Sequence, residues 1–239
     1  PGDEHVFMIE RVIIDIADKK IIRLQTPSDY QRSTVTDHIY RKGKMLDVQW
    51  SQNSDSLAFV SVSRDHSTAT LRVADAKSGH VNTVLSEKAS SFFESGKGSA
   101  NWQFLPESNE VIWFSQRDDW GHLYLYDLSS GQLKHQISQG TWNVLQVRHL
   151  DRINRVIYFT GAGRENSDPY FQYLYKIDID GSNLTLLTPE LADHSVLFNK
   201  QATHFVDRFS TPSQPQHALI RDIDTATILE LEKSDISRL

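Results

Sequence analysis

Two charged clusters in this chain carry residue types suited to holding a ligand. Arg117, Asp118 and Asp119 stand together in Ser115-Gln116-Arg117-Asp118-Asp119-Trp120-Gly121, and Arg164, Glu165 and Asp168 fall in the longer stretch from Gly161 to Tyr170. Long loops are where binding specificity tends to sit, although charged loop residues are more often simply solvated. Other chemistries find less support. The chain contains no Gly-x-Ser-x-Gly turn to expose a serine nucleophile, and no cysteine for thiolate catalysis or a Cys-based zinc site. Its 10 histidines include no H-x-x-x-H or HExxH pair, so neither a metal site nor a cofactor is indicated. His122, between a glycine and an apolar strand, reads as a packed or turn-bonding histidine. Acid–base hydrolysis of a glycosidic bond would need two or three of Asp47, Glu110, Asp118 and Asp207 to converge in one pocket. Gly96-Lys97-Gly98-Ser99 lacks the spacing of a phosphate-binding loop, and Asn183-Leu184-Thr185 fits a glycosylation sequon that is common by chance.

The first cluster is positioned by a β-hairpin. Val111 to Ser115 and Leu123 to Tyr126 are runs of β-branched and aromatic residues, and Asp127 with Gly131 supplies the next turn. The same pattern recurs through Leu46–Leu85, Val144–Leu187 and Ser195–Leu231, with Asp75, Asp127, Asp178 and Asp222 at equivalent points roughly 45 to 50 residues apart. The first unit, up to Leu24, shows two or three strands. Beyond it the polar stretch from Gln25 to Lys44 has room for at most one more, among Thr34, Val35, Thr36 and Ile39.

Four short strands per repeat at this period are the signature of β-propeller blades. A β-sandwich has no reason to repeat the whole unit, and no stretch has the i, i+3, i+4 spacing of a helical solenoid. The fold class expected is all-β, a β-propeller of about four complete four-stranded blades plus a partial one. The runs Ile112-Trp113-Phe114 and Val156-Ile157-Tyr158-Phe159 fit strands covered on both faces. Trp50, Trp102, Trp113, Trp120 and Trp142 read mainly as packing between blades.

With 239 residues, 38% of them hydrophobic, the chain has enough apolar material for a core. A net charge of −6 argues against nucleic acid and against an anionic membrane surface. No apolar run approaches the roughly 20 residues of a spanning helix, and no secretory signal pattern opens the chain. The absence of cysteine does not choose a compartment; a periplasmic or exported bacterial protein and a cytoplasmic one are both compatible with it.

Trp113-Phe114-Ser115-Gln116-Arg117-Asp118-Asp119-Trp120-Gly121-His122-Leu123-Tyr124-Leu125-Tyr126-Asp127 resembles a segment of the N-terminal propeller in dipeptidyl peptidase IV-like serine peptidases of the prolyl oligopeptidase clan. Further segments resemble the same domain in the same order. They are Pro1-Gly2-Asp3-Glu4, Gln139-Gly140-Thr141-Trp142-Asn143-Val144, Gly163-Arg164-Glu165 with Asp168-Pro169-Tyr170, and Phe205-Val206-Asp207-Arg208-Phe209-Ser210. The resemblance implies part of an eight-bladed, unclosed propeller over residues 1–239, capping an α/β-hydrolase domain that would follow residue 239. In such a parent the propeller gates peptide access, and the hydrolase releases N-terminal dipeptides. The implied partners are peptide substrates and the hydrolase domain, with Arg117, Asp118, Asp119, Arg164, Glu165 and Asp168 as substrate-cavity candidates. The family's paired glutamates have no counterpart here, because no two Glu residues are adjacent. The rival reading is a non-catalytic propeller of the TolB type used for protein–protein binding. Unpaired strand edges at the cut end of a blade array lead us to expect self-association, in the simplest case a homodimer.

Overall fold

A computed structural model describes residues 5–30, 47–95, 101–224 and 227–234. Residues 1–4, the strand considered among Thr34, Val35, Thr36 and Ile39, and the Gly96-Lys97-Gly98-Ser99 connection lie outside them. The described chain is almost entirely strand and turn. It opens with β1 (Met8–Ile9), β2 (Val12–Asp15), β3 (Lys20–Arg23) and β4 (Asp29–Tyr30), which pair as β1 with β4 and β2 with β3. Four four-stranded sheets follow. The first is β5 (Val48–Trp50), β6 (Ser56–Val62), β7 (Thr68–Asp75) and β8 (Val81–Lys88); the second is β9 (Gln103–Leu105), β10 (Glu110–Ser115), β11 (His122–Asp127) and β12 (Leu133–Gln136). Next come β13 (Asn143–Asp151), β14 (Val156–Ala162), β15 (Gln172–Asp178) and β16 (Thr185–Leu186), and finally β17 (Asp193–Phe198), β18 (His204–Thr211), β19 (Gln214–Asp222) and β20 (Thr227–Lys233). Within each sheet every strand bonds to its neighbour in sequence, which is the up-and-down meander of a propeller blade. No helix among the described residues is long and apolar enough to cross a membrane.

Second strands are the cores of their sheets. In β6, Leu57 and Phe59 join Ile13, Leu24, Ala74 and Ala76, while Ala58, Val60 and Val62 face the other way into a second cluster with Leu71, Trp102, Phe104 and Trp113. Successive side chains of a strand point to opposite faces, so apolar neighbours on both sides demand a continuous apolar run. All of β10 is buried, and so is β14 beyond its first residue.

The chain divides into two compact units, Pro1–Arg117 with Tyr124–His135, and Asp118–Leu123 with Gln136–Leu239. The first contains the two clusters just described. In the second, Tyr158, Leu174, Leu187, Val196 and Phe205 pack the β13–β16 sheet against β17–β20.

Third strands end in the recurrent aspartates, and the turns explain why. Asp75 Oδ1 accepts from the Ser78 amide at 2.7 Å, and Asp127 Oδ1 from the Ser130 amide at 2.8 Å. Asp178 takes the Asn183 side-chain amide at 2.7 Å and Asp222 the Asp224 amide at 3.0 Å. Hydrogen bonds from Ser78 and Ser130 hold the Asp75 and Asp127 carboxyls below the usual range. The glycines of these turns also lie against the preceding sheet. A Cβ on Gly79 would stand 2.4 Å from the Arg23 carbonyl oxygen, and one on Gly131 2.0 Å from that of Val84.

Three features depart from expectation. Up to Leu24 the opening unit has three strands, as expected, but the polar stretch after it holds β4 at Asp29–Tyr30, whose two residues leave no periodic signal. β13 extends past Val147 to Asp151, its register shifted twice, so the apolar alternation breaks while pairing continues. Trp50, on the edge strand β5, is 47% exposed rather than packed, whereas Trp102, Trp113 and Trp142 are buried.

Candidate functional site

Arg117 lies in the connection between β10 and β11. Its Nε donates to Ser115 Oγ at 2.9 Å and its Nη2 pairs with Glu87 of β8. Glu87 also accepts from Trp113 Nε1 at 2.9 Å and from the Ser115 hydroxyl, so one carboxylate of β8 gathers three donors from the next sheet. The guanidinium covers the Tyr124 ring at 4.3 Å. Burial alone would lower the Arg117 pKa, but the charge of Glu87 leads the effects that raise it overall. This arginine ties two blades together and leaves a third of its side chain to solvent.

Asp118 and Asp119 shape the rest of that connection. Asp118 Oδ2 accepts from Gln136 Nε2 at 2.9 Å, and Asp119 is an exposed residue with φ 71°, a left-handed turn position. His122 is fully buried. The Gly140 carbonyl can only accept, so His122 Nε2–H donates to it at 2.9 Å, while Nδ1 lies 3.0 Å from Ser138 Oγ, which also accepts from the Leu123 amide at 3.1 Å. It is a packed histidine, edge-on to Trp142 with ring centroids 5.2 Å apart.

The second cluster occupies the equivalent connection of its own sheet, between β14 and β15. Arg164 Nη1 and Glu165 Oε1 are 2.9 Å apart, and the same carboxylate oxygen accepts from the Tyr175 hydroxyl at 3.0 Å. Burial first, and the Glu165 charge second, push the Tyr175 phenol far above its usual range. Asp168 turns the backbone, accepting the Tyr170 amide at 2.9 Å through its side chain and the Phe171 amide at 3.0 Å through its carbonyl. Ser167 Oγ lies 2.6 Å from the Tyr173 hydroxyl. Tyr170 stands 86% exposed at the tip. Arg164 and Glu165 thus form a partly solvated charge pair on the buried Tyr175, while Asp168 serves the loop's own geometry.

The carboxylates weighed for glycoside hydrolysis have separate partners. Asp47 pairs with Arg11, Glu110 with Lys134, Asp118 with Gln136, and Asp207 with His194 and Arg221. The last group was invisible as a unit in the sequence. Asp207 Oδ1 meets His194 Nδ1 at 2.8 Å, Asp207 Oδ2 accepts from Arg221 Nε at 3.1 Å, and Arg221 Nη2 reaches Glu190 Oε1 at 2.6 Å. The His194 Nε2 bonds the Glu190 carbonyl at 2.8 Å, closing a ring of interactions. Glu190, His194 and Asp207 bring ligand-type atoms within 4.8 Å of one another. The Arg221 guanidinium already bonds both carboxylates and supplies the positive charge at that place. The four-residue spacing of Glu190 and His194 was the one local hint.

Comparison with known proteins follows the same line. The family described as dipeptidyl peptidase IV (DPP IV) N-terminal region matches residues 1–216. A dipeptidyl peptidase 4 of Arthroderma otae is 23% identical over 186 residues, covering 72% of this chain and 22% of the relative. That of Trichophyton rubrum is 23% identical over 113 residues, covering 46% and 14%. The crystal structure of Porphyromonas gingivalis dipeptidyl peptidase 4 superposes with a TM-score of 0.75 at 18% identity, over 95% of this chain and 30% of that one. The chain therefore spans about a fifth of the length of the first of these curated relatives, and under a third of the solved structure.

Proposed function

The chain belongs to the dipeptidyl peptidase IV N-terminal region family, and on that premise we propose that it is the non-catalytic propeller part of a serine exopeptidase that releases N-terminal dipeptides. Its role is to restrict access: narrow, unfolded peptides pass to a hydrolase domain and folded proteins do not. The observation that carries this reading is the family match over residues 1–216, on a chain whose sheets are propeller blades and which holds no nucleophile turn. Arg117, Asp118, Asp119, Arg164, Glu165 and Asp168 are the residues we assign to the peptide path. Among them Arg164 and Glu165 are the best suited, since they form a charge pair still open to solvent.

The test is dipeptide release from Gly-Pro and Ala-Pro chromogenic substrates, comparing this chain with the protein from the complete reading frame. Activity in the complete protein alone is expected. Activity in the isolated chain, or in neither, would overturn the reading. In the complete protein, replacing Arg164 and Glu165 together with alanine should raise KM for a long peptide by up to about tenfold, equivalent to roughly 1.4 kcal/mol, and leave the short substrates unaffected.

A further inference from the structure

We propose that the closed hydrogen-bonded network of Glu190, His194, Asp207 and Arg221 sets the conformation of the second half of the β14–β15 loop and its junction with β15, residues 167–172, so that the loop's shape is determined from the adjoining sheet. The significance of this for peptide selection rests on the functional reading above; the anchoring itself does not.

Asp207, His194 and Arg221 are at most 3% exposed. Separating Asp207 from Arg221 would leave a charge buried and unpaired, at a cost of several kcal/mol, and moving His194 would break the bonds of both its ring nitrogens. In the segment from Glu190 to His194, the network therefore fixes the Glu190 end and the His194 ring against β18 and β19, where β17–β18 pairing already holds the Asp193 and His194 backbone. Two ties run from that segment to the loop. The Asp193 carboxylate accepts the Gln172 amide at 3.0 Å, and the His194 ring lies against the Tyr173 ring with centroids 5.5 Å apart. The Tyr173 hydroxyl in turn meets Ser167 at 2.6 Å.

Nothing within the loop does the same work. Its internal bonds, from the Ser167 amide to the Glu165 carbonyl and from the Tyr170 and Phe171 amides to Asp168, span two or three residues and cannot orient it on the sheet. At its start Gly163 has φ 86° and a Cβ there would meet no atom closer than 3.9 Å, a permissive and uncrowded position. Tyr175 holds the first half through Glu165. The backbone of Gln172 and Tyr173 is held by pairing with Ala162 and Gly161 of β14, and that of Asp193 by pairing with Ser210 of β18; what the network adds to the second half is the placing of the His194 ring against Tyr173.

Amide hydrogen exchange on the full 239-residue chain tests this. Arg221→Met should raise exchange at Ser167, Tyr170 and Gln172 by about tenfold or more, with β14 amides unchanged as evidence of an intact sheet. Arg221→Lys, which keeps the charge without the planar fork, should behave like Arg221→Met. Tyr173→Phe removes one hydroxyl and no charge, and should loosen Ser167 alone; it decides the matter if the Arg221 variants do not fold. Exchange at residues 167–172 staying within about twofold of the parent in Tyr173→Phe and in every Arg221 variant that folds overturns the proposal. In the complete protein, Tyr173→Phe should raise KM for a long peptide with kcat unchanged on the short substrates. A loosened loop with unaltered KM would sink the peptide-facing reading and leave the anchoring standing.

Discussion

Asp65, in the connection between β6 and β7, shows how turn chemistry becomes pH dependence. Its carboxylate accepts hydrogen bonds from the Ser63 hydroxyl, the Ser67 amide and the Ser67 hydroxyl, which hold its pKa at about 2. A carboxyl depressed on folding stabilises the native state above its unfolded pKa of about 3.9, and that contribution disappears as pH falls through the folded value. The urea midpoint of the wild-type chain should therefore exceed that of Asp65→Asn at pH 5, with the gap closing between about pH 4 and about pH 2. Equal slopes for the two proteins over that interval would contradict the assignment. Arg117 illustrates the opposite case, a charged residue in an open connection whose work is largely done inside the protein. Read in sequence it belonged with Asp118 and Asp119. In space it belongs with Glu87, 30 residues away on another sheet.

At the level of elements, the glycine turns give a graded prediction. Gly131→Ala should cost about 1–2 kcal/mol for the left-handed backbone alone, and more because β8 must give way to the new methyl group. Gly163→Ala carries the conformational cost without the collision, so urea denaturation should rank Gly131→Ala as clearly the more damaging. These elements were legible for physical reasons. Asp75, Asp127, Asp178 and Asp222 bond backbone or side chains two to five residues away, and such local chemistry repeats wherever the turn does. β6, β10 and β14 announce themselves as unbroken apolar runs because both of their faces are covered. What could not be read were the meetings between distant segments. Glu87 with Arg117, and Glu190 with Arg221 across 31 residues, leave no periodic trace. Trp50 misled because its residue type indicates packing, whereas its place on an edge strand decides its exposure.

The whole molecule presents apolar strands to solvent. Val12, Ile14 and Ile21 on β2 and β3 are 41%, 62% and 62% exposed, and Ile228 and Leu229 on β20 are each 52% exposed. Open strands of this composition pair with copies of themselves, so sedimentation across a concentration series should show association, weakened by Ile14→Lys. A strictly monomeric species at every concentration would refute it. The contacts of Gly79 with Arg23 and of Gly131 with Val84 bear on how the chain is made. In both, a turn comes to rest on backbone that precedes it in the sequence. A ribosome releases the N-terminal end first, so each of these two sheets finds its supporting wall already standing, as bricks are laid course upon course. A circular permutant that delivered β9–β12 ahead of β5–β8 would have to hold Gly131 in place with nothing yet to rest on.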